Sequence, residues 1–253
     1  MLKVFLISGL LIISTTLLGQ PTSKSVSPQV YDTVKLDPTY FILGTLSDYM
    51  GRFSYVNKKF QIDRYYSIEK PLVEYLNFLI TNELKINVTT VPDNLSEVSL
   101  YETFSPELSS ILNSYFIGDY LSLKNLKNQP ELNYSYLAGR YYRYGDRIND
   151  SIYKIQLANS SDHKICDTLL RRIGCTKIHF KYLKNIPAQF IYYFIPTSRL
   201  EEYFNSLDQE KTKLEDLYND FVKPKHAFSD TTLKKIEAIK EKKYQEIIDL
   251  FKK

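Results

Sequence analysis

One segment of the chain combines aromatic rings with guanidinium groups at close spacing. It reads "YSYLAGRYYRYGDR" and runs from Tyr134 to Arg147. Aromatic faces stack on sugars or bases, and an arginine fork binds a carboxylate or a phosphate through two parallel hydrogen bonds. The segment therefore predicts a ligand-binding site. Its members would be Arg140, Tyr141, Tyr142, Arg143, Tyr144 and Arg147.

The same segment also has a purely structural interpretation. Its tyrosines can line a contact between a helix and a sheet with their hydroxyls at the rim, while the arginines are solvated or pair with Asp146 and Asp150. The chain contains no Trp, the ring that sugar-binding platforms favour, which argues against a carbohydrate ligand. The sequence alone leaves both interpretations open.

A second grouping has the side chains that zinc prefers. An H-x-x-C pair is followed by a C-x-x-x-H pair, formed by His163, Cys166, Cys175 and His179. Thiolates and imidazoles are zinc ligands, but the short spacing between the pairs fits no common zinc module, and free cysteine is usually a small buried hydrophobe. We therefore expect no metal and no cofactor, and these four residues are the set that would hold a metal ion if one binds.

Catalytic motifs are absent from the sequence. It has no G-x-S-x-G elbow, no G-x-x-x-x-G-K-[ST] phosphate loop, no H-E-x-x-H helix and no C-x-x-C pair. Only carboxylates are common enough to supply an acid and a base, as in glycosidases. Such a pair would be drawn from Asp48, Asp119, Asp146 and Asp150.

The first nineteen residues have the layout of a secretory signal peptide. Lys3 precedes an apolar run from Val4 to Leu18, and Gly19 precedes a polar stretch. The run is too short and too often interrupted by Ser and Thr to cross a bilayer. Gln20 stands where a lipoprotein would have its acylated cysteine. We therefore predict a signal peptide over residues 1–19, a flexible leader over 20–36 and a single globular domain over 37–253, exported and neither anchored in a membrane nor attached to lipid.

The first zone of that domain, residues 37–148, is predicted to be helical. Asp37 and Pro38 start a helix that extends to Gly51, and a second helix over 68–85 turns one apolar face inward. Residues 88–99 are predicted as a loop, Ser105 as the cap of a third helix, and residues 118–130 as a short helix that Pro130 closes.

The middle zone, residues 150–196, has strand character. Residues 151–158 alternate between polar and apolar side chains, and residues 176–183 and 189–195 are rich in β-branched and aromatic types. Between them, residues 162–173 form a helix that Gly174 ends. This helix would separate Cys166 from Cys175 too far for a disulfide. We expect a β-α-β-β unit with an antiparallel or mixed sheet of about three strands.

The last zone, residues 198–252, is predicted as a helical hairpin. The residues that follow heptad spacing, interrupted once by Lys211, are Leu200, Phe204, Leu207, Leu214, Tyr218 and Phe221. Pro224 should end the first helix, and Ser229 or Asp230 should cap the next one. The stripes of the two helices would pack against the domain or bind a partner. The predicted fold class is thus α+β, predominantly helical.

The composition of the chain is that of an ordinary folded protein. It has 43% hydrophobic and 25% charged residues, with 22 Tyr and a net charge of +4. Because Lys3 and the C-terminal lysines account for much of that charge, the expected centre is near neutral and no nucleic-acid partner is expected. We expect an exported, periplasmic or secreted, non-enzymatic binding or structural protein of a bacterial envelope. Its partner would be an envelope protein or glycan; the alternative is an exported hydrolase with a carboxylate pair.

Overall fold

The structure is a computed structural model that describes residues 34–47, 59–93, 100–225 and 230–252. It contains helices together with antiparallel sheets, so the predicted α+β class is confirmed. Among the described residues, no helix has both the length and the apolar character needed to cross a membrane. The predicted signal peptide and residues 20–33 of the predicted leader lie outside the described residues. At the end of that leader, Val34 and Leu36 are partly buried and pack against the hydrophobic core.

The first half of the fold surrounds a small three-stranded sheet. Its helices are α1 (Pro38–Thr45), α2 (Lys70–Phe78) and α3 (Pro106–Asn113), and its strands are β1 (Gln61–Tyr66), β2 (Thr89–Asp93) and β3 (Leu100–Phe104). The strands are antiparallel in the order β1-β3-β2. The expectation that residues 37–148 are helical is wrong for this sheet, and β2 lies where a loop was predicted.

The predicted helix starts are confirmed at atomic detail. The Asp37 carboxylate accepts a hydrogen bond from the Tyr40 amide at 2.9 Å, and the Ser105 hydroxyl accepts one from the Leu108 amide at 3.4 Å. Both residues satisfy amides that have no partner within the helix. The predicted end of α1 at Gly51 is wrong, because the helix stops at Thr45.

A two-stranded hairpin links the halves. Strands β4 (Phe116–Ile117) and β5 (Tyr120–Leu121) pair around Gly118, whose φ is +59°. The short helix predicted for residues 118–130 is therefore wrong. Pro130 opens a helix instead of closing one, since proline lacks only an amide hydrogen that the first helical turn does not use.

The second half surrounds a four-stranded sheet. Its helices are α4 (Pro130–Tyr144), α5 (His163–Arg172) and α6 (Ser198–Asn205), and its strands are β6 (Gly145–Arg147), β7 (Tyr153–Ala158), β8 (Thr176–Leu183) and β9 (Gln189–Ile195). The strands are antiparallel in the order β6-β7-β9-β8. The predicted β-α-β-β unit is confirmed, and β6 adds a fourth strand that the sequence analysis missed. Tyr153, Ile155 and Leu157 of β7 are buried, as their alternation predicts.

The two halves repeat one arrangement of elements. In the described residues, the order α1, β1, α2, β2, β3, α3 corresponds to α4, β7, α5, β8, β9, α6, and the sheet orders β1-β3-β2 and β7-β9-β8 correspond as well. No such repeat was predicted from the sequence. Its trace is short: an aromatic residue lies three positions before a glycine in both central helices, as Phe41 before Gly44 and Tyr136 before Gly139.

The central helices α1 and α4 cross at these two glycines. A Cβ atom on Gly44 would collide with the carbonyl oxygen of Tyr136 and lie 3.0 Å from the Cα atom of Gly139. A Cβ atom on Gly139 would likewise collide with the carbonyl oxygen of Phe41 and lie 3.0 Å from the Cα atom of Gly44. The contact is reciprocal and requires glycine on both sides. The main hydrophobic core surrounds it.

The C-terminal helices are α7 (Asp208–Lys225) and α8 (Asp230–Lys252). The predicted heptad series is divided between α6 and α7, and its buried members are Leu200, Phe204 and Leu207. Farther along, Tyr218 is half exposed. The pairing of α7 with α8 as a hairpin is not confirmed. The end of α8 packs elsewhere, with Phe251 in a small separate cluster that includes Ile148 and Ile152.

Candidate functional site

The predicted ligand-binding segment forms α4 and β6, and Arg140 lies at its buried centre. Its side chain is 1% exposed and forms an ion pair with Asp162, which directly precedes α5. It also donates to the Leu46 carbonyl at 2.9 Å and to the Tyr136 hydroxyl at 3.0 Å. Leu46 is the residue that follows α1, so this guanidinium covers the negative end of that helix.

Arg143 makes the second contact of this kind. It donates to the Thr45 carbonyl at 2.7 Å and pairs with Asp63 and Glu69, each at 2.8 Å. Burial lowers the pKa of Arg143, but the neighbouring carboxylates, Glu69 foremost, outweigh it and leave that pKa well above its usual range. Arg143 of the second half therefore ties together α1, β1 and the start of α2.

The remaining members of the segment divide between core and surface. Tyr141 and Tyr142 are buried at 3% and 0% exposure, and the Tyr144 hydroxyl donates to the Leu46 carbonyl at 3.4 Å. Arg147 is exposed and lies 3.7 Å from Glu201. The ligand role of the six residues stays a prediction. The three tyrosines make contacts of the kind that the alternative interpretation describes, and the exposed Arg147, which donates to the Asp150 carbonyl at 3.3 Å, fits it as well. Arg140 and Arg143 do not fit it, because they are buried and pair with carboxylates other than Asp146 and Asp150.

The candidate zinc ligands are not assembled into one site. Among the described residues, no group of three or more His, Cys, Asp or Glu side chains is arranged to hold a metal ion. The His163 ring stacks on Phe190 at 3.9 Å between centroids, whereas His179 packs against Phe251. Cys166 and Cys175 are not joined by a disulfide, as the intervening helix predicts. Burial raises the pKa of the Cys175 thiol to about 11.

A groove of 520 Å³ lies beside β6 and β7 and is bordered by α7 and α8. Asp146, one of the four carboxylates considered for catalysis, lines it and pairs with Lys154 at 3.1 Å. Burial raises the pKa of Asp146, but the hydrogen bond from Tyr244 and the charge of Lys154 outweigh it, so that pKa is below its usual value. Asp48 lies outside the described residues.

Lys211 closes the inner end of this groove. Its ammonium group donates to the Gly145 carbonyl at 2.9 Å and to the Tyr142 carbonyl at 3.5 Å. Burial lowers the pKa of Lys211. It covers the end of α4 as the two arginines cover the end of α1, so the cations at the centre of the molecule stabilise helix ends.

A local concentration of exposed cations lies in another part of the chain and was not predicted from the sequence. Residues 163–195, which contain α5, β8 and β9, hold six Lys or Arg and one Asp, a net charge of +5. Its basic residues are Lys164, Arg171, Arg172, Lys177, Lys181 and Lys184. The signal was present in the sequence, but averaging the charge over the whole chain concealed it.

Strand β8 presents much of this charge to solvent because it is an edge strand of the sheet. Within the described residues, Lys164, Arg172, Lys181 and Lys184 have no ion-pair partner, whereas Arg171 pairs with Asp167 at 3.0 Å. The Lys177 ammonium donates to the Phe251 carbonyl at 2.7 Å. Four exposed cations therefore have no carboxylate to neutralise them.

The side of the sheet turned away from α5 is here called the outer face. Strand alternation and pairing place Lys154, Gln156, Lys181 and Gln189 on it. The Gln156 amide donates to the Gln189 side-chain oxygen at 3.2 Å. One end of the outer face is covered by α8, where Phe251 packs on His179 and on Tyr193. Lys154, Gln156 and Gln189 also line the groove bordered by α7 and α8, whereas Lys181 is exposed.

Comparison with known proteins gives no family for the chain. No protein-family model and no curated protein matches it. Solved structures similar to it include full-length DUF199/WhiA from Thermatoga maritima, with 11% identity and a TM-score of 0.40, over 80% of this chain and 66% of that one. The chain thus spans slightly less than two thirds of that protein.

The chain covers most of the length of two further solved structures. The N-terminal LAGLIDADG domain of DUF199/WhiA has 15% identity and a TM-score of 0.40, covering 66% of this chain and 83% of that one. I-DmoI, in complex with DNA and Ca, has 12% identity and a TM-score of 0.41, covering 65% of this chain and 85% of that one.

These matches contradict several expectations drawn from the sequence. They conflict with an exported, periplasmic or secreted envelope protein released by a signal peptide, and with the hydrolase that was its exported alternative. They also conflict with the expected absence of a nucleic-acid partner, since one of the similar structures is a complex with DNA. These expectations are withdrawn. At this level of identity the matches assign neither a location nor a functional residue to the chain.

Proposed function

We propose that the chain binds double-stranded DNA through the outer face of its four-stranded sheet. The observation that carries the proposal is the concentration of charge, because residues 163–195 have a net charge of +5 in a chain whose total is +4. Lysine and arginine supply the phosphate contacts that dominate the affinity of DNA-binding proteins, and Lys181 places one exposed charge of this segment on the outer face itself. The cations at the helix ends contribute nothing here, because they are buried.

The shape of the surface suits a groove of DNA. Strands β8 and β9 form an antiparallel ribbon that ends in an exposed turn, and the major groove of B-form DNA admits such a ribbon. Lys181 on the outer face would contact phosphates. The amides of Gln156 and Gln189, which share that face, are side chains of the kind that reads adenine edges.

The proposal is tested by measuring the affinity for a mixed-sequence duplex at several salt concentrations. Lys154→Gln combined with Lys181→Gln removes both lysines of the outer face, of which Lys154 pairs with Asp146 and Lys181 is exposed and has no ion-pair partner in the described residues. We expect weaker binding and a plot of log affinity against log salt whose slope is smaller in magnitude by about one, the contribution of Lys181. Thermal unfolding of the double variant checks that the fold is retained.

A matched control removes the same charge from the other half. Lys70 and Lys124 are exposed and lie outside the basic segment, so Lys70→Gln with Lys124→Gln should leave the affinity and the salt slope nearly unchanged. Equal losses of duplex affinity in the two double variants would show that the effect comes from net charge alone and not from the outer face. Failure of the unaltered chain to bind a duplex at low salt would overturn the proposal.

A further inference from the structure

A row of aromatic rings lies on the opposite side of the β8–β9 ribbon from the outer face. It consists of His163, Phe180, Tyr182 and Phe190 and is here called the aromatic row. The rings of His163 and Phe190 are stacked 3.9 Å apart at 6°, and the ring of Phe180 lies 6.5 Å from that of Phe190 at 16°. Tyr182 is 5.3 Å from Phe190 on the other side. The row is therefore a set of ring faces with related orientations.

Two members of the row are open to solvent. Phe180 is 50% exposed and Tyr182 is 51% exposed, because helix α5 covers β9 and leaves the edge strand β8 projecting beyond it. As residues two apart on one strand, they point to the same side. Exposed aromatic side chains grouped in this way mark a binding surface more often than an isolated exposed apolar residue does.

The charge around the row indicates what it binds. Lys164 follows His163 directly, and Lys184 lies two residues beyond Tyr182. Both are exposed and, within the described part of the chain, neither has an ion-pair partner. Asp167, the sole carboxylate of residues 163–195, pairs with Arg171. Aromatic rings beside free cations complement a ligand that is both flat and anionic.

We infer that the aromatic row binds unpaired bases of single-stranded nucleic acid, with Lys164 and Lys184 contacting its phosphates. Only unpaired bases offer their ring faces to a protein, because bases in a duplex are covered by their neighbours. Phe180 and Tyr182 supply the exposed rings, while His163 and Phe190 hold the row in place from behind. The inference rests on the proposed function in its choice of nucleic acid, but it uses the opposite side of the ribbon.

The experiment compares two labelled probes with the full chain: a single-stranded oligonucleotide and a duplex of the same sequence. The double variant Phe180→Ala with Tyr182→Ala should lose roughly tenfold or more in affinity for the single strand, since both exposed stacking surfaces are removed. Its affinity for the duplex should change less than about twofold. The conservative variant Phe180→Tyr with Tyr182→Phe should retain binding of the single strand, because the rings remain.

The first half provides a matched control. Phe60 and Tyr66 are exposed aromatic residues at 47% and 55%, and Phe60→Ala with Tyr66→Ala should leave single-strand binding unchanged. Thermal unfolding is compared among the variants, and only those that retain the unaltered melting temperature are assayed for affinity. Retention of single-strand affinity by a folded Phe180→Ala, Tyr182→Ala variant would overturn the inference.

The remaining outcomes separate the inference from the proposed function. If the lysines of the outer face govern duplex binding but the chain does not bind the single strand, the inference fails and the proposed function stands. If the aromatic variant alone loses binding, and the lysine variant of the outer face binds the duplex normally, the inference stands and the proposed face is wrong. A self-association that the aromatic variant abolishes, measured by light scattering without nucleic acid, would assign the row to a second copy and overturn the inference.

Discussion

The two halves of the molecule share an order of elements but differ in charge. Residues 70–104, from α2 to β3, contain two Lys and five Asp or Glu, a net charge of −3. The corresponding residues 163–195, from α5 to β9, have a net charge of +5. The exposed residues of a sheet can change without cost to its pairing, whereas the buried contact between the halves cannot. The repeat therefore persists in the core while the surfaces differ.

The interior shows a second difference between the halves. Helix α1 contains no charged residue, whereas α4 contributes Arg140 and Arg143, and both guanidinium groups donate to carbonyls at the end of α1. Side chains of the second half thus satisfy carbonyl groups at the end of a helix in the first half. Tyr66 of β1 and Ala158 of β7 line the same 160 Å³ cavity as Arg143, so the two sheets approach each other where these helices end.

The largest expected effect comes from Arg140, which follows Gly139 as Thr45 follows Gly44. Arg140→Met leaves the Asp162 carboxylate buried without its cation, which should cost about 3–5 kcal/mol in the free energy of unfolding. Denaturant unfolding measures it. Thr45→Ser at the corresponding position of α1 removes one methyl group and should cost about 1 kcal/mol. Equal losses at the two positions would contradict the asymmetry of the interior.

Substitution of either glycine at the helix crossing should lower the free energy of unfolding by a similar amount. Gly44→Ala and Gly139→Ala each place a methyl group against the backbone of the other central helix, and each should cost about 1–3 kcal/mol. Chemical denaturation of the two variants gives the comparison. Gly118→Ala is the control, since no atom lies within 4 Å of its added Cβ and only the positive φ opposes it. A large loss at Gly44 with none at Gly139 would show that the crossing is not reciprocal.

Alkaline pH should produce the smallest effect and distinguish the tyrosines of the two halves. Burial raises the pKa of Tyr75 in α2 to about 12 and raises that of Tyr153 in β7 further. Folding favours the neutral phenol, so this contribution to stability is fully present below the unfolded pKa of about 10 and is lost as the pH rises through the folded pKa. Phenolate absorbance in Tyr75→Phe and Tyr153→Phe should show that Tyr75 ionises first. Ionisation of both groups near pH 10 in the folded chain, as in model peptides, would contradict the prediction.

Local chemistry made several elements predictable. Asp37, Ser105 and Pro71 fix helix starts through hydrogen bonds or backbone angles within a few residues, and the alternation of β7 follows from one buried face. Strand β2 was missed because Pro92 and Asp93 resemble turn residues, and because its strand character depends on pairing with β3. Strands β4 and β5, on either side of Gly118, were also missed, because each has only two residues and is defined by its pairing with the other.

The residue types of the candidate site could be predicted from the sequence, but their positions in the fold could not. Tyr and Arg in α4 suggested ligand contacts, yet most of these side chains support the joining of the halves, since a buried guanidinium bonded to helix carbonyls looks the same in sequence as an exposed one. The basic segment around β8 could have been found from a local count of charge. The exposure of Phe180 and Tyr182 could not, because it depends on how far α5 extends over the sheet.

By itself, the sequence determined the α+β class, the helix starts of α1 and α3, three strands of the four-stranded sheet and the helix that separates Cys166 from Cys175. Each follows from interactions between near neighbours in the chain. Only the tertiary structure decided that the fold is a repeat, that Gly44 and Gly139 touch, and that the cations divide into buried helix caps and an exposed basic ribbon. Those features depend on residues about a hundred positions apart meeting across a close-packed core, where spacing along the chain gives no measure of distance.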